Sequence, residues 1–207
     1  MRIGVIGAMQ MEVDNLKAVM ENVTTETYSG VEFVSGKYAN RDVVVAKCGI
    51  GKVFAAICAE AMILKFDVDK IINIGVAGSL TKDLGVLDVA VANNVVQHDM
   101  DTSPLGDPVG LLSGINMVTL DADKDMNVLL CDCLSDKGIK FKKGTIATGD
   151  QFVATKEQKD RITGMFDAIA AEMEGGSIGH VCYINNIPFA ILRSISDSEG
   201  GAIDYQT

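Results

Sequence analysis

The chain has 207 residues, with 18 Lys and Arg against 28 Asp and Glu and a net charge of −10. Apolar residues make up 48%, enough for one sizeable core and too many for a disordered chain. The negative charge repels phosphate backbones and excludes nucleic acid as the expected partner, and no apolar run reaches the roughly 18–20 residues of a membrane helix.

The N-terminus, MRIGVIGAM, enters a strand pattern at once, without the apolar stretch and small-residue cleavage site of a signal peptide. The expected setting is cytoplasmic. Cys48, Cys58, Cys131, Cys133 and Cys182 are an odd set inside apolar segments, so they read as small reduced core residues. A neutral or zwitterionic small molecule is the ligand such a chain suits.

Taken in order, residues 2–7 (RIGVIG) read as a strand buried on both faces. Residues 10–19 read as a helix. Residues 31–39 and 41–49 form a hairpin around Asn40. Residues 52–65 (KVFAAICAEAMILK) are helical and apolar on nearly every side, which places that helix in the core or in a subunit interface. Residues 70–75 and 87–98 are further strands. Residues 100–116, rich in Gly and Pro, are a long loop of the kind that is often functional. A helix follows over 121–137, with Asp121 as its N-cap, then a strand at 139–148 and a helix at 156–165. Residues 166–172 are strand, 176–186 helix and 189–196 the last strand. No repeat or linker interrupts this rhythm.

The pattern predicts a single α/β domain over residues 1–207, with a mixed or mostly parallel sheet. In such sheets ligands bind beyond the carboxyl ends of the strands. Those ends read GAMQMEV with Glu12, VAGS, GDQFV, EMEGG with Glu172 and Glu174, and DSEGG with Asp197. Each acid alone has an ordinary reading as a helix-dipole, cap or turn residue. Their convergence on one face points to catalysis. Paired carboxylates suit cleavage of a glycosidic-type bond, one protonating the leaving group and one activating water.

Other motifs carry less. GVIGAM is not GxGxxG, and CGIGKVF lacks the Walker spacing. CDC at 131–133 sits mid-helix, where i and i+2 face apart. His98, Asp99 and Asp101 in HDMD read as a hydrogen-bonding corner rather than a metal site, and no GxSxG elbow is present. Neither metal nor cofactor is called for.

Taken together, GAMQMEV, CGIGKVFAA, NIGVAGSL, HDMD, TGDQFV, AEMEGGSIGHVC and RSISD resemble the 5′-methylthioadenosine/S-adenosylhomocysteine nucleosidases of the purine nucleoside phosphorylase-like superfamily. The likeness runs over nearly the whole chain. It implies a three-layer α/β sandwich, a central mixed, largely parallel sheet flanked by helices, and a homodimer. It implies hydrolysis of the N-ribosidic bond of 5′-thioadenosines to adenine and a thioribose, within methionine salvage. By the resemblance Asp197 is the acid that protonates adenine N7, which requires burial or a partner favouring its neutral form. Glu12 is the base that activates water. Glu174 binds the ribose hydroxyls with Met173 beside the sugar, and Arg193 orients Glu12, water or ribose. Phe152 stacks on adenine and the Val153 main chain reads its edge. Met9 and Gly78 wall the ribose pocket, and Glu172 and Ser196 belong to the substrate site.

The chain departs from that family in three places. Val76 stands where many relatives have serine near the water. Leu105 and Asp107 stand where some have aromatics in a loop that covers the 5′-thio group across the dimer. The sequence ends at DYQT, where relatives continue into a long helix. The alternatives are a phosphorylase, for which the first loop supplies Glu12 but no arginine, an aminodeoxyfutalosine hydrolase of the same fold, and a non-catalytic nucleoside-binding protein.

Overall fold

Short runs of β-branched residues become the strands of one sheet in the computed structural model, which describes residues 1–197. The DYQT end and the SEGG part of the last strand-end turn lie outside the described residues. β1 (Arg2–Gly7) buries Gly4 through Gly7, as a strand covered on both faces must. Val5 packs with Val43, Val45 and Val13 of α1 (Gln10–Ala18). Its neighbour Ile6 packs on the opposite face with Val44, Ala46 and α2 (Lys52–Phe66). The period-two alternation of strand side chains thus separates two cores, one under each helix.

Beside β1 lie β4 (Arg41–Lys47), β3 (Val31–Tyr38) and β2 (Glu21–Tyr28) on one side and β5 (Lys70–Ser79) on the other. The predicted hairpin is the β3–β4 pair, closed through Ala39 and Asn40, both at positive φ. Strand β10 (Phe189–Asp197) pairs with β5 and with β6 (Val89–Gln97). From β6, β8 (Phe141–Thr148) and β9 (Ala168–Glu172) lead back to β5, so these five strands close a ring within the sheet. Five pairings are parallel and five antiparallel. The sheet is mixed, as expected; among the described residues its two longest ladders, β10–β5 and β6–β8, are parallel, but parallel pairings are no majority. Helix α5 (Gly175–Asn185) packs along α2, and α4 (Lys156–Phe166) covers β8 and β9.

Several expectations need correcting. Strand β2 lies in a segment with no expected element, because all but one of its residues are exposed and it shows no buried face. Asp121 is not a cap but the last residue of a short strand, β7 (Thr119–Asp121), paired to β6. Helix α3 (Lys124–Asp136) is capped by Asp123, whose carboxylate accepts from Met126 N at 2.8 Å. Helix α2 is half in the core, through Ala55, Cys58, Ala59, Met62 and Phe66. Of the cysteines, Cys48, Cys58 and Cys182 are buried as expected, but Cys131 is half-buried and Cys133 exposed. Both flank the stripe of Met126, Asn127 and Leu134 that α3 turns inward. Among the described residues no helix is long and apolar enough to cross a membrane.

The capping assignment predicts that Asp123→Ala loses about 1 kcal/mol of stability, while exposed Asp121→Ala stays within about 0.5 kcal/mol of the parent. Thermal unfolding of the two variants distinguishes them.

Candidate active site

The carboxyl ends of β1, β5, β9 and β10 surround a cavity of about 280 Å³. Its wall holds all eleven residues singled out by the sequence: Glu12 and Asp197, Met9, Gly78, Phe152, Val153, Glu172, Met173, Glu174, Arg193 and Ser196. Ala8, Ile50, Val76 and Gln151 line it as well.

Glu12 is the third residue of α1 and reaches back over the helix start. Its Oε2 accepts from Ala8 N at 2.6 Å and Met9 N at 2.9 Å, and its Oε1 from Val76 N at 3.2 Å. Val76 therefore acts through its main chain, while its side chain offers water no hydrogen bond. Gly75 has no room for a side chain: a Cβ there would lie 2.3 Å from Arg193 Nη1 and 2.7 Å from Glu12 Oε1.

Arg193 is 1% exposed. Its Nη2 donates to Asn73 Oδ1 and Glu172 Oε2 and lies 3.5 Å from Glu174 Oε2. Asn73, fully buried in β5, in turn donates to Ile6 O at 2.9 Å. Glu172 ends β9 with its side chain 1% exposed, so it is a buried acid and not one that faces water. It accepts from Thr148 Oγ1, Glu174 N (3.0 Å) and Gly175 N (2.7 Å) besides Arg193. Buried charges of this kind are tolerated only when paired and hydrogen-bonded.

Glu174 sits at the N-cap of α5, with Oε1 accepting from Gly51 N at 3.0 Å. Gly51 takes φ 101° to make the turn into α2, a backbone region that favours glycine. Burial first, and then the charge of Glu172, push the Glu174 carboxyl up to about 7, against the pull of Arg193.

Asp197 enters from the other side. A bulge near Ile195 shifts the β10–β5 register, and bulges re-aim side chains beside sites. Successive residues Ser196 and Asp197 thereby both face the cavity. Asp197 lies over Gly78, whose Cβ would be 3.2 Å from Oδ1. Its Oδ1 accepts from Ser196 Oγ at 3.2 Å, and its Oδ2 is 3.4 Å from Lys159 Nζ. The buried partner is thus a cation and not a group that favours the neutral acid, so of the two conditions set for Asp197 the structure supplies burial alone. Gly75 under Glu12 and Gly78 under Asp197 are three residues apart on β5, so the two acids stand about 10 Å apart along the strand.

Sequence reasoning missed Lys159, Asn73 and Thr148, and took Gly51 only as part of a tight strand-to-helix turn, which it is. Asn73 alone carried a signal, as the one polar residue inside an apolar strand. The HDMD segment lies off the cavity. Asp99 takes Lys52 Nζ at 2.7 Å and Asp150 N at 2.8 Å, and Asp150 takes Lys52 N at 2.8 Å. These bonds tie the start of α2 to the 149–153 segment. Nor does the 100–116 loop line the cavity of one chain: Leu105 is exposed, and Asp107 accepts from Thr102 Oγ1.

The chain matches the phosphorylase superfamily over residues 2–206. It is 38% identical to the aminodeoxyfutalosine nucleosidase of Helicobacter pylori, over 95% of this chain and 85% of the relative. It is 36% identical to the 5′-methylthioadenosine/S-adenosylhomocysteine nucleosidase of Shewanella piezotolerans, over 99% of this chain and 90% of the relative. Its structure superposes with a TM-score of 0.91 on a Helicobacter pylori nucleosidase mutant with 5′-methylthioadenosine in the active site, at 38% identity over 95% of this chain and 85% of that one.

Folded Glu174 holds its proton to higher pH than the unfolded residue, whose ordinary value is 4.5. Its contribution to stability is complete below that value and is lost as pH rises through about 7, because the unfolded state then binds fewer protons. Glu174→Gln removes this dependence. The variant's melting temperature should therefore gain on the parent's between pH 4.5 and 7 and keep a constant lead above, as thermal unfolding across that range measures.

Proposed function

The chain belongs to the phosphorylase superfamily, and from that premise we propose that it is an N-ribosyl hydrolase of 5′-methylthioadenosine and S-adenosylhomocysteine, releasing adenine and the thioribose. The observation that carries the reading is one cavity with Glu12 and Asp197 at its two ends and Glu174 with Arg193 in its wall. Asp197 gives its proton to adenine N7, and the C1′–N9 bond breaks with its electron pair going to the base. The sugar passes through an oxocarbenium-like state, which the buried carboxylates stabilise. Water attacks from the side of Glu12, which takes its proton. Glu174 accepts from the ribose hydroxyls, and Phe152 and Val153 hold the base. No cofactor enters these steps. Hydrolysis rather than phosphorolysis is supported by Glu12, whose carboxyl group occupies the start of α1, where a phosphate would need cations.

A second reading keeps the chemistry and changes the 5′ substituent. The 38% identical relative named aminodeoxyfutalosine nucleosidase supports it. With the family we infer one domain over residues 1–207 in a three-layer sandwich, supported by α1 and α2 lying on opposite faces of β1 and β4. A reducing, cytoplasmic setting is supported by free Cys48, Cys58 and Cys182. Burial pushes the Cys48 and Cys182 thiols up to about 12. A homodimer is supported by Val53, Phe54 and Ile57, exposed on the first turns of α2, together with exposed Ile50 in the cavity wall, an apolar patch that nothing in the described residues covers.

Adenine release from methylthioadenosine and from aminodeoxyfutalosine, with and without phosphate, tests the function. Release without phosphate is expected. Absence of adenine under all conditions sinks the enzyme reading, and a requirement for phosphate sinks the hydrolase. Asp197→Asn and Glu12→Gln should each lose about 100-fold or more of kcat while still binding nucleoside, and parental turnover would refute that residue's role. Sedimentation at micromolar concentration should give a dimer mass; a monomer would refute the dimer.

A further inference from the structure

Helix α4 is polar, and its other charged residues, Lys156, Glu157, Asp160 and Arg161, all face outward. Lys159 does not. It is 8% exposed, and its ammonium lies 3.4 Å from Asp197 Oδ2. Burying a lysine is costly unless a partner compensates it, and Asp197 is the partner this one reaches. Lys159 also stays out of the nucleoside cavity. It lines a separate cavity of about 330 Å³ with Ser79, Thr81, Lys82, Asp160 and Thr163, so it meets Asp197 from behind. With Ser196 Oγ on Oδ1, each carboxyl oxygen of Asp197 has its own donor.

We infer that Lys159 is a positioning residue for departure of the base, holding Asp197 over Gly78 and stabilising the carboxylate left there once the proton has moved to the purine. The inference rests on the nucleosidase reading. In that step the Asp197 O–H bond breaks, an N7–H bond forms, and the negative charge stays on Asp197, where a preorganised ammonium is worth most. Lys159 itself gives up no proton and touches no substrate. Its effect should fall on kcat and not on KM, and only when the leaving group needs a proton.

The test compares methylthioadenosine with p-nitrophenyl 5-methylthioriboside, whose phenolate departs without protonation. Lys159→Met should lower kcat for methylthioadenosine about tenfold or more, with KM within about threefold of the parent. The same variant should cleave the nitrophenyl riboside at close to the parental rate, and Lys159→Arg should recover most of the lost kcat. If Lys159→Met does not fold, Lys159→Gln is judged by the same criteria. Equal losses on both substrates, a loss carried by KM, or no loss overturns the inference while the parental adenine release upholds the function. A parental protein that releases no adenine overturns both.

Discussion

Arg193 is the cation on which the site is built. It is almost fully buried, and its guanidinium meets Glu172, Glu174 and Asn73 while crowding with Glu12 over Gly75. Removing one partner of such a buried pair typically costs about 3–5 kcal/mol, because the other charge is stranded. Lysine could not replace it, since the planar fork serves several acceptors at fixed angles. One cation among three carboxylates leaves negative charge in excess. Burial is the first cause of the raised carboxyl of Glu174, and this excess, through Glu172, is the second. An excess of negative charge in a dry cavity is also what a sugar turning cationic requires.

That constraint reaches back into the fold. Arg193 comes from β10, Glu172 from β9, Asn73 from β5 and Glu12 from the first turn of α1. They meet because β5 stands at the centre, paired with β1, β9 and β10. Gly75 and Gly78 leave its surface bare where the two acids lie across it. A side chain at Gly75 would displace Arg193 and Glu12 together.

Much of this was legible in the sequence because buried strands and ligand-facing turns leave strong marks. Continuous apolar runs located β1, β5, β6, β9 and β10, and the acids and glycines after them located the cavity. The rest left no such mark. Strand β2 is an exposed edge, its ENVTTETY carrying charge and hydroxyls where a core strand alternates, a common way to blunt an edge. Strand β7 has three residues, too few for any period. Lys159 stands in a helix rich in charge, and nothing local distinguishes the one lysine that turns inward from those that meet water. Pairing of that kind is settled by tertiary placement, here 38 residues along the chain.

The two acids of AAEMEGG show the same limit at closer range. Glu172 and Glu174 look equivalent in sequence, two residues apart at one turn. A carboxylate has about four acceptor positions. Glu172 takes four donors: Thr148 Oγ1 on Oε1, and Arg193 Nη2 with the N–H groups of Glu174 and Gly175 on Oε2. It fastens the start of α5 to Arg193 through Oε2, although it also borders the cavity. Glu174 has one N–H, from Gly51, and a longer approach to Arg193, so half of its acceptor capacity faces the space a ribose would enter. The division follows from geometry: the strand-end acid points down the axis of α5 into its free N–H groups, whereas the N-cap acid is turned aside toward α2. Its four donors hold the Glu172 carboxylate in place, and its charge, after burial, helps keep its neighbour's proton on until near neutral pH.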